Sequence, residues 1–282
     1  MSALGGSALV VDAATSPDPF MPVWPETAFR TGQHLDIPAI IGFNLDEGTY
    51  AISKYINDPE ALANLNENWE TEASRLIFGK DGNFTEDEKE VANKIRTFYF
   101  GEEAVSLANL DSLVDVFTDL VFWSPAHRAV TTLSARPGGQ PVYEYLFTHL
   151  GALSYGNGYG VAHFDEVHYL WNPHGNDFPV LEGDDFAVRD LMVAMWTDFA
   201  KSADPTPSVD SAFRWTPYHP AAPSYLNINP APAMEWSGEV ARRQAFWEEL
   251  FPLVPLPGSK DVEADEVAQA REGKGAQGTK EA

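Results

Sequence analysis

Residues 37 to 45, Ile-Pro-Ala-Ile-Ile-Gly-Phe-Asn-Leu, form an almost unbroken apolar run that drops into the acidic turn Asp46-Glu47-Gly48. A strand with one wet face alternates apolar and polar residues. A short continuous run with β-branched residues, bounded here by Pro38 and Asn44, instead belongs to a strand covered on both faces, as in a parallel sheet. Helical stretches follow it, and strands that feed helices predict an α/β fold. Loops at the carboxyl ends of such strands collect the functional groups of open α/β sheets. Glu47 stands in such a loop.

The flanking chain divides by its punctuation. Residues 1 to 36 are rich in Pro, Ala, Ser and Gly and read as a long loop. Over 57 to 78, Asp58 takes an N-cap, Pro59 the first helical position, and Leu62, Leu65, Trp69, Ala73 and Leu76 repeat at helical spacing, which predicts one amphipathic helix. Thr85 and Glu88 stand in capping-box register at the head of a second, with acidic residues in its first turn. One or two helices surround Pro125 over 112 to 135, and alternating aromatics over 141 to 149 predict a strand. The stretch 184 to 208 opens on an acidic cap, carries Phe186, Leu191, Met195 and Phe199 down one side, and stops before Asp204-Pro205. A Pro- and Trp-rich loop region and a final helix from Ser237 follow. The expected organisation is a flexible segment over 1 to 19, one domain over 20 to 257 and a solvated polar tail over 258 to 282, with no internal repeat.

Charge and composition remove several function classes. With 18 basic against 42 acidic residues the formal charge is −24, which repels phosphate backbones and anionic lipid, so nucleic acid and membrane surfaces are not the expected partners. The chain has no cysteine, which excludes disulfides, zinc–thiolate sites and thiol nucleophiles. No apolar run approaches the roughly 20 residues a membrane span needs, and the amino terminus lacks the basic region of a signal peptide. The triplet Asn83-Phe84-Thr85 is a glycosylation sequon, usable only in a secreted protein.

The segment 161 to 172, Val-Ala-His-Phe-Asp-Glu-Val-His-Tyr-Leu-Trp-Asn, raises the question of what its histidines do. A metal cradle of His163, Asp165, Glu166, His168 and His174 is disfavoured, because the spacing matches no helical zinc pattern and Gly158, Gly160 and Pro173 argue against a helix presenting both histidines on one face. His168 and His174 read as surface or loop residues. The remaining reading is a general base. A neutral imidazole takes a proton from a weak nucleophile when a carboxylate fixes its tautomer and stabilises the imidazolium that forms. Glu47, after the buried strand, and His163, in a glycine-lined loop after the second strand, suit those roles by position, although spacing alone leaves an idle histidine and a solvated turn as alternatives.

The stretches IPAIIGFNLDEG, VYEYLF, GVAHFDEVHYLW and MWTDFAKSADP with WTPY, spread from about Phe20 to Phe251, together resemble the carboxyl-terminal half of type-B carboxylesterases, the cholinesterase-like branch of the α/β-hydrolases. The resemblance implies an incomplete, mostly parallel sheet with packed helices. It also implies Glu47 as triad acid and His163 as base, in the family's order Ser, acid, His. It makes Asp46 a neighbour in the turn, has Glu166 and Tyr169 shape the histidine loop, and calls for a small-molecule ester substrate with no cofactor or metal. Asn172 departs from the glycine usual in the family. The larger departure is the missing Gly-x-Ser-x-Gly elbow, whose nearest imitation, Gly5-Gly6-Ser7-Ala8-Leu9, lacks the closing glycine. The expectation is therefore a carboxyl-terminal portion of an ester hydrolase, inactive and poorly folded alone. The alternative is a non-catalytic cholinesterase-like adhesion or binding protein. Trp123, Phe147, Trp171, Trp196, Trp215 and Trp247 are expected in core packing, with pocket lining as the second reading.

Overall fold

The computed structural model describes residues 11, 17–79, 82–154, 159–171, 180–208 and 213–250. Its elements in chain order are α1 (Pro25–Thr31), β1 (Ala39–Asn44), α2 (Thr49–Asn57), α3 (Pro59–Glu67), α4 (Trp69–Phe78) and α5 (Glu86–Phe100). A 3₁₀ turn (Leu107–Asn109), α6 (Leu110–Phe117), a π-helical turn (Thr118–Trp123) and α7 (Ser124–Ser134) lead to β2 (Val142–Phe147). Then come α8 (Val167–Leu170), α9 (Asp185–Ser202), β3 (Tyr225–Ile228), β4 (Ala233–Glu235) and α10 (Gly238–Leu250).

The strands form an open sheet in the order β1-β2-β3-β4. β1 pairs with β2 in parallel from Ala39 opposite Val142 to Asn44 opposite Phe147, β2 with β3 in parallel, and β3 with β4 antiparallel. Every residue of β2 is buried, as a central parallel strand requires. One face of β2, through Tyr143, Tyr145 and Phe147, packs on Val188, Met192 and Met195 of α9. The other carries Val142 against Val130 of α7, and Leu146 beside Phe43 and Trp123. The long crossover from β1 to β2 folds into a helical layer with its own core, including Ile52, Leu65, Trp69, Ile95, Leu113 and Phe117, closed by Trp247 and Leu250 of α10.

The capping box at α5 is present in both directions, with Glu88 N–H donating to Thr85 Oγ1 at 3.2 Å and Thr85 N–H to Glu88 Oε2 at 2.8 Å. Other elements correct the sequence reading. The proline-rich amino-terminal loop contains α1, which opens on Pro25 and ends at Gly32 in the left-handed conformation (φ 72°). The single helix over 57 to 78 is two, because Asn68 leaves the helical region (φ −114°, ψ 33°) while its side-chain Nδ2 donates to Asn64 Oδ1 at 2.8 Å. Helix α2 directly after the Glu47 turn was not expected. β3 and β4, four and three residues long, lie in what read as loop, too short for a period of two to register among Pro223, Pro230 and Pro232. In α9 the buried stripe is Val188, Met192 and Met195, whereas Phe186 is exposed. Trp123, Phe147, Trp215 and Trp247 are buried and Trp196 packs on the core, but Trp171 is 70% exposed. The expected amino-terminal segment lies largely, and the tail wholly, outside the described residues.

Candidate functional site

Two loops meet at the carboxyl ends of β1 and β2. The last residue of β1 begins the site: Asn44 N–H donates to Glu47 Oε1 at 2.8 Å, so the acidic turn curls back over its own strand. The Asn44 side chain reaches across to the histidine loop, donating to Ala162 O at 2.7 Å and to Glu166 Oε2 at 2.5 Å. Asp46 ties the same two loops: its N–H donates to Val161 O at 3.0 Å and its Oδ2 accepts from Val161 N–H at 2.8 Å. Gly160 (φ 109°) is required here, since a Cβ at that position would stand 2.2 Å from Asp46 Oδ2. Asp165 Oδ2 holds the loop from within, accepting from Ala162 N–H at 2.8 Å and Ser154 Oγ at 2.5 Å.

These ties bring Glu47 and His163 together across 116 positions of sequence, with His163 Nδ1 2.6 Å from Glu47 Oε2. Both carboxylate oxygens of Glu47 are engaged, one by backbone and one by imidazole. An ionised carboxylate can only accept, so Nδ1 carries the proton and the lone pair of the neutral ring lies on Nε2. The hydrogen bond to Glu47 raises the His163 pKa above its ordinary 6.5, opposed by partial burial and supported by the charges of Glu47, Glu166 and Asp165. Burial raises the pKa of Glu166, against the lowering effect of the Asn44 amide. It raises that of Asp46 too, against the Val161 N–H.

Two further histidine–carboxylate pairs occur among the described residues. His127 Nδ1 lies 2.6 Å from Glu144 Oε1, with the Tyr218 hydroxyl 3.4 Å from its Nε2, and His149 Nε2 lies 2.7 Å from Asp185 Oδ1. Access separates them: the His163 side chain is 42% exposed, against 1% for His127 and 10% for His149. A base must meet its substrate, and His163 is the most accessible of the three. Tyr50 and Phe122 stand beside its ring, with centroids 6.1 and 4.5 Å away. Phe164, next in sequence, holds a positive φ of 80°, uncommon outside glycine and frequent at functional sites.

The other sequence candidates fall as follows. Glu166 lies in the loop as an acceptor for Asn44, and Tyr169 donates to Asp185 Oδ1 at 2.8 Å. His168, read as a surface or loop residue, is buried and lies in α8. Among the described residues no three His, Asp or Glu side chains are grouped to hold a metal ion, and no helix is long and apolar enough to cross a membrane. Ser7, Asn172 and His174 lie outside the described residues. Sequence reasoning gave no role to Asn44, noticed as a strand boundary and within the stretch IPAIIGFNLDEG, and missed the His127–Glu144 and His149–Asp185 pairs. Apart from its position at a strand end, Asn44 has no local signature.

Against known proteins, the model of the carboxylesterase family matches residues 6–247. Venom carboxylesterase-6 of Apis mellifera is 28% identical over 224 residues, covering 75% of this chain, and juvenile hormone esterase of Tribolium castaneum is 26% identical, covering 68%. The chain spans only 39% and 35% of the lengths of those two relatives. Among solved structures, juvenile hormone esterase from Manduca sexta, crystallised with OTFP covalently attached, superposes with a TM-score of 0.62 at 21% identity over 82% of this chain and 44% of that one, a likeness of fold.

Proposed function

We propose, from the premise that this chain belongs to the carboxylesterase family, that it carries the acid and base of a serine ester hydrolase, Glu47 and His163, and that the serine is supplied by polypeptide outside this sequence. The observation that carries the reading is the 2.6 Å contact between His163 Nδ1 and Glu47 Oε2, on the most accessible of the three histidine–carboxylate pairs. The sequence contains no Gly-x-Ser-x-Gly, which is why the nucleophile is sought elsewhere.

The chemistry follows from which nitrogen is free. His163 Nε2 takes the proton as the serine oxygen adds to the ester carbonyl, Glu47 stabilises the imidazolium, and the ring returns the proton to the departing alcohol. Water then repeats the sequence on the acyl-enzyme and releases the carboxylic acid. Asn44, Asp46 and Glu166 take no proton in this scheme; they hold the two loops at the separation the hydrogen bond needs. A binding protein without catalysis would have no physical need for a paired, accessible imidazole.

A fluorophosphonate probe, which reacts with activated serines, tests the reading. The 282-residue chain alone should remain unlabelled. The chain extended by its upstream coding sequence should be labelled at a Gly-x-Ser-x-Gly serine, and lose labelling in H163A. Labelling of the short chain, or undiminished labelling of extended H163A, would overturn the proposal.

A further inference from the structure

We infer that the π-helical turn Thr118–Trp123 is a bracket that holds the Glu47 turn and the His163 ring in register, with Thr118 and Phe122 as positioning residues. The inference rests on the assignment of Glu47 and His163 above and adds the device that keeps them together. A π turn is rare, and single turns of this kind occur frequently at functional sites. Its one extra residue rotates everything after it by about 100° relative to an unbroken α-helix. The relation between the two ends of the turn therefore depends on that insertion.

Residues four apart share a helix face, and here the two faces do different jobs. On one, Thr118 Oγ1 accepts the buried N–H of Gly48 at 2.9 Å, in the residue directly after Glu47, and Phe122 lies against the His163 ring at 4.5 Å with planes inclined by 38°. On the other, Asp119 accepts from Arg243 Nε at 2.7 Å and Trp247 Nε1 at 3.3 Å in α10, as well as from Arg243 Nη2 and the Tyr99 hydroxyl of α5. Trp123 packs on Phe43 of β1, with ring centroids 5.8 Å apart, and under the Arg243 guanidinium at 5.3 Å. One turn is thus anchored to α5, α10 and β1 through Asp119 and Trp123, while Thr118 and Phe122 meet the backbone just after Glu47 and the ring of His163.

The fit against the acid turn leaves little play. A Cβ on Gly48 would stand 2.0 Å from Val114 O and 2.9 Å from Phe117 Cβ, immediately before the π turn, so the backbone carrying Glu47 is pressed onto this helix. Without Thr118 the Gly48 amide would be a buried donor with no acceptor, and the turn would gain by rocking toward water. A rocking turn lengthens the Glu47–His163 hydrogen bond, whose strength varies steeply with distance and angle.

The test reads the pKa of His163 in the full chain at micromolar concentration, from the pH dependence of its carbethoxylation by diethyl pyrocarbonate, resolved by peptide mass spectrometry. Glu47, Glu166, Asp165 and Tyr50 are the groups facing the ring, and all are retained in the Thr118 variants. E47Q, the reference, should bring the midpoint close to the 6.5 of an isolated imidazole. T118V, the same shape without the acceptor, should lower it by about half a pH unit or more, and T118S, which restores the hydroxyl, should keep the wild-type midpoint. A folded T118V with an unchanged midpoint overturns the bracket. If E47Q itself leaves the midpoint unchanged, the pair and the functional reading fail instead. Hydrogen exchange of the unsubstituted chain covers the case in which T118V does not fold: the Gly48 amide should exchange as slowly as helix-interior amides, and fast exchange there overturns the proposal by itself.

Discussion

Among the described residues, the imidazoles of His127, His149 and His163 lie within hydrogen-bond reach of a carboxylate, and what differs among them is solvent. His127 and Glu144 are sealed between β2 and α7, so their contact serves packing, whereas the His163 side chain is 42% exposed. The raised pKa of His163 has two consequences of opposite sign. For the pair as a stabilising contact, the charged ring bonded to Glu47 contributes fully below 6.5, and the contribution is lost as pH rises through the higher folded value. For catalysis only the neutral ring can accept a proton, so in the complete enzyme the rate should climb with pH through an acid limb centred above 6.5. E47Q should move that limb down and cut kcat by about 10⁴-fold, by analogy with amide replacement of a triad acid. A pH–rate profile with ester substrate checks both, and an unmoved limb would count against Glu47 as the partner. Of these residues, Glu47 and His163 were legible from their loops and the resemblance. Asn44 and Thr118 were not, because a side chain that works through a contact 70 or more positions away carries no local pattern.

At the scale of elements, ends were more legible than interiors. The Thr85 box needs only four consecutive residues, and it is formed as read; T85A should cost about 1 kcal/mol, measured by urea denaturation. The π turn and the strands β3 and β4 depend instead on what lies across from them, and periodicity is silent there, while the break at Asn68 turns on a side-chain bond to Asn64 that helical spacing does not register. Glu144 in the middle of a buried strand is the sharpest case: its charge argues for a wet face, and only His127, approaching from α7 at 2.6 Å, makes burial tolerable. H127L should therefore cost about 3–5 kcal/mol by stranding the carboxylate, and the double variant H127L/E144M should recover most of that loss. Recovery of nothing would mean that shape, not charge, sets the cost.

For the molecule as a whole, β1 is the outer strand of the described sheet, next to β2 on one side only. An apolar parallel strand left at an edge is a template for another chain. We expect elution from a sizing column to shift toward larger species as concentration rises, despite the net charge of −24; a sharp monomeric peak at every concentration would count against this. The amino-acid order by itself determined the class of fold, through an apolar run feeding an acidic turn, and the caps of α3 and α5 at Asp58 and Thr85, because those signals act over a few residues, whereas the acidic cap read at Asp184 makes no capping hydrogen bond to α9. Only the tertiary structure decided which histidine is accessible, which residues hold its partner in place and where the short strands pair. Each of those depends on distance and exposure between segments far apart in the chain, quantities that local sequence does not encode.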